Sequence, residues 1–199
     1  MEQNITKEEA EELMNIKGKT RGMAIKDDFE YVLMKKGQEG VKKIEEELKR
    51  LGYPFKCQSI KAMKLYPSGL EPLIMLICQR MLQYTEEDFK ELGRISARMP
   101  LVIRVFVKYL GSLEMIVKGA SSIWQRYYSQ GDFEVTEVNE EKCFVVVRIK
   151  DFALHPLYCK GLEGYFEAMV KLVVKKDTQC EETKCIHRGD KFHEFLIKW

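Results

Sequence analysis

The chain has 199 residues, 45% hydrophobic and 32% charged, which fits a soluble globular protein of one domain, or one domain with an appendage. Thirty-three basic against 31 acidic residues leave a net charge of +2, too balanced for a nucleic-acid reading on charge alone. The longest apolar run, 73–78, is far short of a membrane span.

The opening MEQNITKEEAEEL is acidic and polar, unlike a signal peptide, so a cytoplasmic location is expected. There, six cysteines point to metal or redox chemistry before a disulfide framework. The spacing predicts a short charged helix over 7–14. Over 26–36, Phe29, Val32 and Leu33 fall on one helical face. Gly37 to Gly40 breaks that pattern, which resumes with Val41, Ile44, Leu48 and Leu51 and stops at Gly52-Tyr53-Pro54. Pro67-Ser68-Gly69 opens another helix, with Leu73, Leu76, Ile77 and Met81 as its buried stripe. Thr85-Glu86-Glu87-Asp88 reads as a capped helix start, Pro100 as a break, and 101–128 as one or two further helices.

After Gly131 the period becomes two. Phe133, Val135 and Glu137 share one side, Asn139 to Lys142 make a polar turn, and 144–149 is rich in β-branched residues: a hairpin. A helix over 156–171 carries Gly161 and Gly164 one turn apart, a sign of close packing. Strands over 173–185 and 193–198 follow, joined at His187-Arg188-Gly189-Asp190. The fold class is therefore α+β: N-terminal helices packed on a small antiparallel sheet, ending in a clasped hairpin. A helical part, 1–110, and a strand-rich part, 111–199, are expected to share one core.

The closing CEETKCIHRGDKFHEFLIKW concentrates metal-ligand chemistry. Cys180, Cys185, His187 and His193 are candidate donors, and Cys159 on the preceding helix is placed to join them. A tetrahedral site takes four such groups, Cys and His with at times a carboxylate. Along a strand, Cys180 and Glu182 share a face and Cys185 takes the other unless a bulge intervenes. Spacing alone leaves Cys180 and Glu182 both open as the fourth ligand. Cys57, Cys78 and Cys143 sit in apolar or strand contexts and read as small core residues.

The segments GASSIWQRYYSQGDFEV, KDFALHPLYCKGLEGYFEAM and ETKCIHRGDKFHEFLIKW resemble the 4-vinyl-reductase domain, which also forms the sensory part of phenol-responsive activators. The family's zinc ligands are Cys, Glu after 22 residues, Cys after two and Cys after seven. This chain has Cys159, then Glu182, Cys185 and His193 at the same spacings, with histidine replacing the last cysteine. The resemblance thus implies a structural zinc held by Cys159, Glu182, Cys185 and His193, with Cys180 and His187 as neighbours. Four protein ligands close the coordination sphere, so such an ion would hold the fold rather than react.

The same resemblance implies a small-molecule pocket between helices and sheet. Phe106, Tyr109, Trp124, Tyr127, Tyr128, Phe152 and His155 are its candidate lining, each aromatic pairing an apolar body with a shape fit for a wall. More distantly the chain is similar to haem nitric-oxide-binding domains and to subunits of a Golgi transport particle. The haem relatives carry a proximal histidine before a segment like MIVKGAS (115–121), and here no histidine precedes His155. No Gly-rich phosphate loop, GxSxG elbow or dinucleotide fingerprint is present, so an enzyme finds little support. The expectation is a zinc-stapled sensor for a hydrophobic or aromatic molecule, signalling through a homodimer or a partner protein. The alternatives are a haem- or tetrapyrrole-handling protein and an adaptor without ligand.

Overall fold

Thr6 starts the regular structure with a capping box. In the computed structural model, which describes residues 4–97 and 113–199, its hydroxyl accepts from the Glu9 amide and the Glu9 carboxylate accepts from the Thr6 amide. Two orphan donors of α1 (Lys7–Met14) are thereby satisfied. The short strands β1 (Lys19–Arg21) and β2 (Leu65–Pro67) pair antiparallel, a ribbon too brief for periodicity to reveal.

Between them runs α2 (Gly22–Arg50), 29 residues long. The break expected at Gly37 is a kink, with Gly37 at φ 66°, ψ −168°, after which the helix resumes at once. Ile25, Phe29 and Val32, then Val41, Ile44 and Leu48, are buried. Leu33, expected on that face, is 48% exposed, because it falls one position past the stripe. Helix α3 (Leu70–Leu82) is buried along most of its length and ends at Gln83, in the left-handed region. Helix α4 (Glu86–Ser96) starts as expected with a Thr85–Asp88 capping box.

Beyond α5 (Leu113–Tyr127), β3 (Asp132–Asn139) and β4 (Phe144–Lys150) form the expected hairpin. Helix α6 (Pro156–Val174) is longer than predicted, since Phe166, Val170 and Val174 continue the i, i+4 pattern. The next strand accordingly begins not at 173 but at β5 (Gln179–Lys184). Strand β6 (His193–Lys198) inserts between β4 and β5, giving the antiparallel order β3-β4-β6-β5. The inner face alternates as period two requires: Val145, Val147 and Ile149 from β4, His193, Phe195 and Ile197 from β6. The α+β class, helices on a small antiparallel sheet, holds.

Helix α6 crosses α4 backbone to backbone. A Cβ on Gly93 would collide with the Gly161 carbonyl, and one on Gly164 with the Lys90 carbonyl. The buried apolar residues make one cluster from Ile5 to Ile197. Among the described residues no helix is long and apolar enough to cross a membrane.

Candidate functional site

A cavity of about 620 Å³ lies between the helices and the inner face of the sheet. The sheet supplies Phe133, Val145, Val147 and Ile197, α5 supplies Ile123, Trp124 and Tyr127 with Tyr128 just past its end, and α6 supplies Tyr158, Tyr165 and Phe166. Trp124 and Tyr128 are held firmly. The Trp124 indole N–H donates to the Gln130 carbonyl at 3.1 Å, and Tyr128 bridges to Thr20 of β1. The Ser129 amide adds a bond to the Lys19 carbonyl at 2.9 Å, so the β1–β2 ribbon pins the end of α5.

Three of the sequence-predicted pocket residues, Trp124, Tyr127 and Tyr128, line this cavity. Phe152 is buried behind the wall, its ring 4.8 Å from Trp124, 5.3 Å from Tyr128 and 5.6 Å from Tyr158. His155 does not face the cavity. It caps α6, its Nδ1 accepting from the Leu157 amide at 3.2 Å. Phe106 and Tyr109 lie outside the described residues.

One end of the cavity is acidic, which sequence reasoning missed. Asp27 and Asp28 reach it from α2, and Glu71 from α3. The Tyr158 hydroxyl donates to Glu71 Oε1 at 3.2 Å, so at the 2.6 Å contact between the Tyr128 and Tyr158 hydroxyls Tyr128 is the donor. Burial raises the Glu71 carboxyl to about 8, against the lowering bonds from Thr20 and Tyr158. Burial, and then the neighbouring Glu71 and Asp27, push Asp28 well above the usual carboxylate range. Burial lifts Asp27 to about 7, with Glu30 adding repulsion. A signal was present: Asp28 sits beside Phe29 on a buried stripe, and Glu71 opens the otherwise apolar LEPLIMLIC.

A second cluster gathers at the C-terminal hairpin. Cys159, Glu182, Cys185 and His193 are all buried, with their donor atoms within 4.8 Å of one another. Cys159 Sγ lies 3.7 Å from Cys185 Sγ and 3.8 Å from His193 Nδ1. A register shift between Glu182 and Lys184 in β5 is the bulge that brings Cys185 to the side of Glu182. His193 Nε2 donates to the Phe152 carbonyl at 3.0 Å, which leaves Nδ1 facing Glu182 Oε1 at 2.8 Å. A neutral Nδ1 and a carboxylate are both acceptors, so a proton or a cation must lie between them. Burial pushes the Cys159 thiol up, and Glu182 pushes it further. Cys180 is buried elsewhere in the core cluster, and the His187 ring lies 5.6 Å from that of His193, tilted by 51°.

No protein-family model matches the chain, and no curated protein sequence does. Solved structures do. An H-NOX protein from S. oneidensis in the Fe(II)NO ligation state superposes with a TM-score of 0.65 at 14% identity, over 89% of this chain and 98% of its own. The chain has the H-NOX fold. An NMR structure of an H-NOX domain from Shewanella oneidensis in the Fe(II)CO state gives 0.61 at 16% identity, over 89% and 97%. A structure described as modulating haem redox potential through protein-induced porphyrin distortion gives 0.60 at 14%, over 90% and 99%.

These comparisons support the more distant of the two resemblances, the haem NO-binding fold, and give no support to the narrower 4-vinyl-reductase one. They also correct the expected cofactor. Structural zinc is not upheld, because the solved structures with the H-NOX fold are described by iron ligation and by haem. The C-terminal clasp stands as a cluster of side chains with no zinc assigned to it.

Proposed function

We propose that this chain is a small-molecule sensor domain on the H-NOX fold, with the cavity between helices and sheet as its ligand site. The observation that carries the reading is the cavity itself, about 620 Å³ with mostly apolar and aromatic walls and a few convergent polar groups. The occupant is largely apolar, and the signal passes through protein contacts, in a homodimer or to a partner chain. The division into parts 1–110 and 111–199 belongs to the same proposal, although its boundary lies outside the described residues. Native mass spectrometry of the purified protein tests it. A co-purifying small molecule is expected, and a Val147→Trp variant, which fills the cavity, is expected to lose it. Retention of the molecule in that folded variant would place the ligand elsewhere.

The fold relatives favour a second reading, in which the occupant is a haem or another tetrapyrrole. The flat apolar walls suit a macrocycle, but the residues do not fit an imidazole-ligated iron. The chain has three histidines, His155, His187 and His193, and none lines the cavity. Among the described residues no lysine or arginine lines it either, so nothing there pairs with propionates, and Asp28 and Glu71 would repel them. A tetrapyrrole would have to be held by Tyr or Met. Addition of hemin separates the readings: a stoichiometric, shifted Soret band supports the tetrapyrrole, and the spectrum of free hemin sinks it.

We also infer that Cys159, Glu182, Cys185 and His193 form a metal-ion site. The support is convergence of four buried donors, two soft thiols, a borderline imidazole and a carboxylate, with the imidazole's other nitrogen bonded to a backbone carbonyl, as metal-bound histidines have it. Elemental analysis of the purified protein is expected to show metal near one equivalent per chain, reduced together with thermal stability in Cys159→Ser and Cys185→Ser. Metal-free protein with unchanged variants would remove the site.

A further inference from the structure

The acidic end of the cavity is lined by carboxyl groups, with no cationic side chain among the described residues to pair with them. Asp28 is 8% exposed and Glu71 3%, both line the cavity, and Asp28 Oδ2 and Glu71 Oε2 are buried without a hydrogen-bond partner among the described residues. Buried acceptors left unmade are costly, and native chains keep few of them. Of the nearby hydroxyls, Tyr158 commits its proton to Glu71 Oε1, Tyr128 commits its own to Tyr158, and Thr20, close enough to hold Glu71 down, donates to Ser68 Oγ at 3.3 Å. Among the described residues no lysine or arginine lines the cavity.

We propose that this end recognises a cationic nitrogen, so that the ligand is an organic cation: an apolar body carrying a protonated amine or amidine. The inference rests on the reading of the cavity as the ligand site. An ammonium or amidinium carries two or more N–H donors, enough to meet one oxygen from α2 and one from α3. Charge-assisted bonds of this kind are about twice as strong as neutral ones. An alcohol offers one donor and no charge, and a carboxylate offers none and meets two acids. With no counter-charge present, burial favours the protonated acids, and an arriving cation takes the place of those protons.

Three probes of one shape and different charge test it: naphthylmethylamine, naphthylmethanol and naphthoate, titrated calorimetrically into the full chain. The amine is expected to bind at least about tenfold tighter than the alcohol, with naphthoate weakest. In Glu71→Gln and Asp28→Asn, checked for folding by circular dichroism, the amine is expected to lose more affinity than the alcohol, so that the preference shrinks to within about threefold. An amine that binds no tighter than the alcohol in the unmodified chain overturns the inference and leaves the cavity reading standing. A preference that survives in both variants also overturns it. If none of the probes binds, the cavity reading fails and the inference fails with it.

Discussion

Glu71 is the residue whose chemistry departs furthest from its surroundings. Among the described residues Asp27 and Asp28 of α2, Tyr128 just past α5 and Tyr158 of α6 are the titratable groups that interact with it, and none of them carries positive charge. An acid protonated in the folded chain and ionised in the unfolded one releases a proton on unfolding. Stability therefore falls as pH rises from about 4.5, the ordinary glutamate value, to about 8, the folded one. Glu71→Gln is expected to flatten that slope and to stabilise the ligand-free protein at pH 8 by about 1–3 kcal/mol, read from urea melts across pH. Glu9 works in the opposite sense. The Arg80 guanidinium and the Thr6 amide hold its carboxylate down to about 2, so its contribution is present above the ordinary glutamate value and disappears as pH falls towards 2. Arg80→Ala is expected to move the acid-unfolding midpoint upward in pH. The Thr6–Glu9 cap is decided within one turn of chain. The burial of Glu71 was not read from the sequence, because burial is a property of neighbours that sequence spacing does not supply.

At the scale of elements, the α4–α6 crossing sets backbone against backbone. Gly164→Ala would drive a methyl group into backbone, which has no rotamer to yield, and is expected to destabilise by about 2 kcal/mol or more in chemical denaturation. A Cβ on Gly119 in α5 would meet nothing within 4 Å among the described residues, and there the same change is expected to stabilise by about 0.5–1 kcal/mol. Thr85→Ala removes the α4 cap and is expected to cost about 1 kcal/mol. Local signals such as the Thr85 cap, the hairpin turn at Asn139 to Lys142 and the close-packing glycines were legible, because each is decided within a few residues. The partner of Gly164 was not, nor the insertion of β6 between β4 and β5, since both are choices among distant segments. The bulge in β5 stands between the two cases. Its necessity followed from putting Glu182 and Cys185 on one side, while its place between Glu182 and Lys184 had to be seen.

For the whole molecule, the H-NOX fold sets a cavity between two layers and leaves its chemistry to a few side chains. The aromatic wall of α5 was readable as a stretch of large residues, but the acidic floor and the lack of histidine contact depended on the packing of α2 and α3 against α6. Consecutive residues of α6 serve the two candidate sites: Tyr158 faces the cavity, and Cys159 belongs to the hairpin cluster. Phe152 joins them a second time, its ring against Trp124 and its carbonyl on His193. One peptide unit cannot turn Tyr158 without turning Cys159. Linkage then makes the two occupancies a single thermodynamic cycle: whatever factor filling one site imposes on affinity at the other is returned unchanged in the reverse direction.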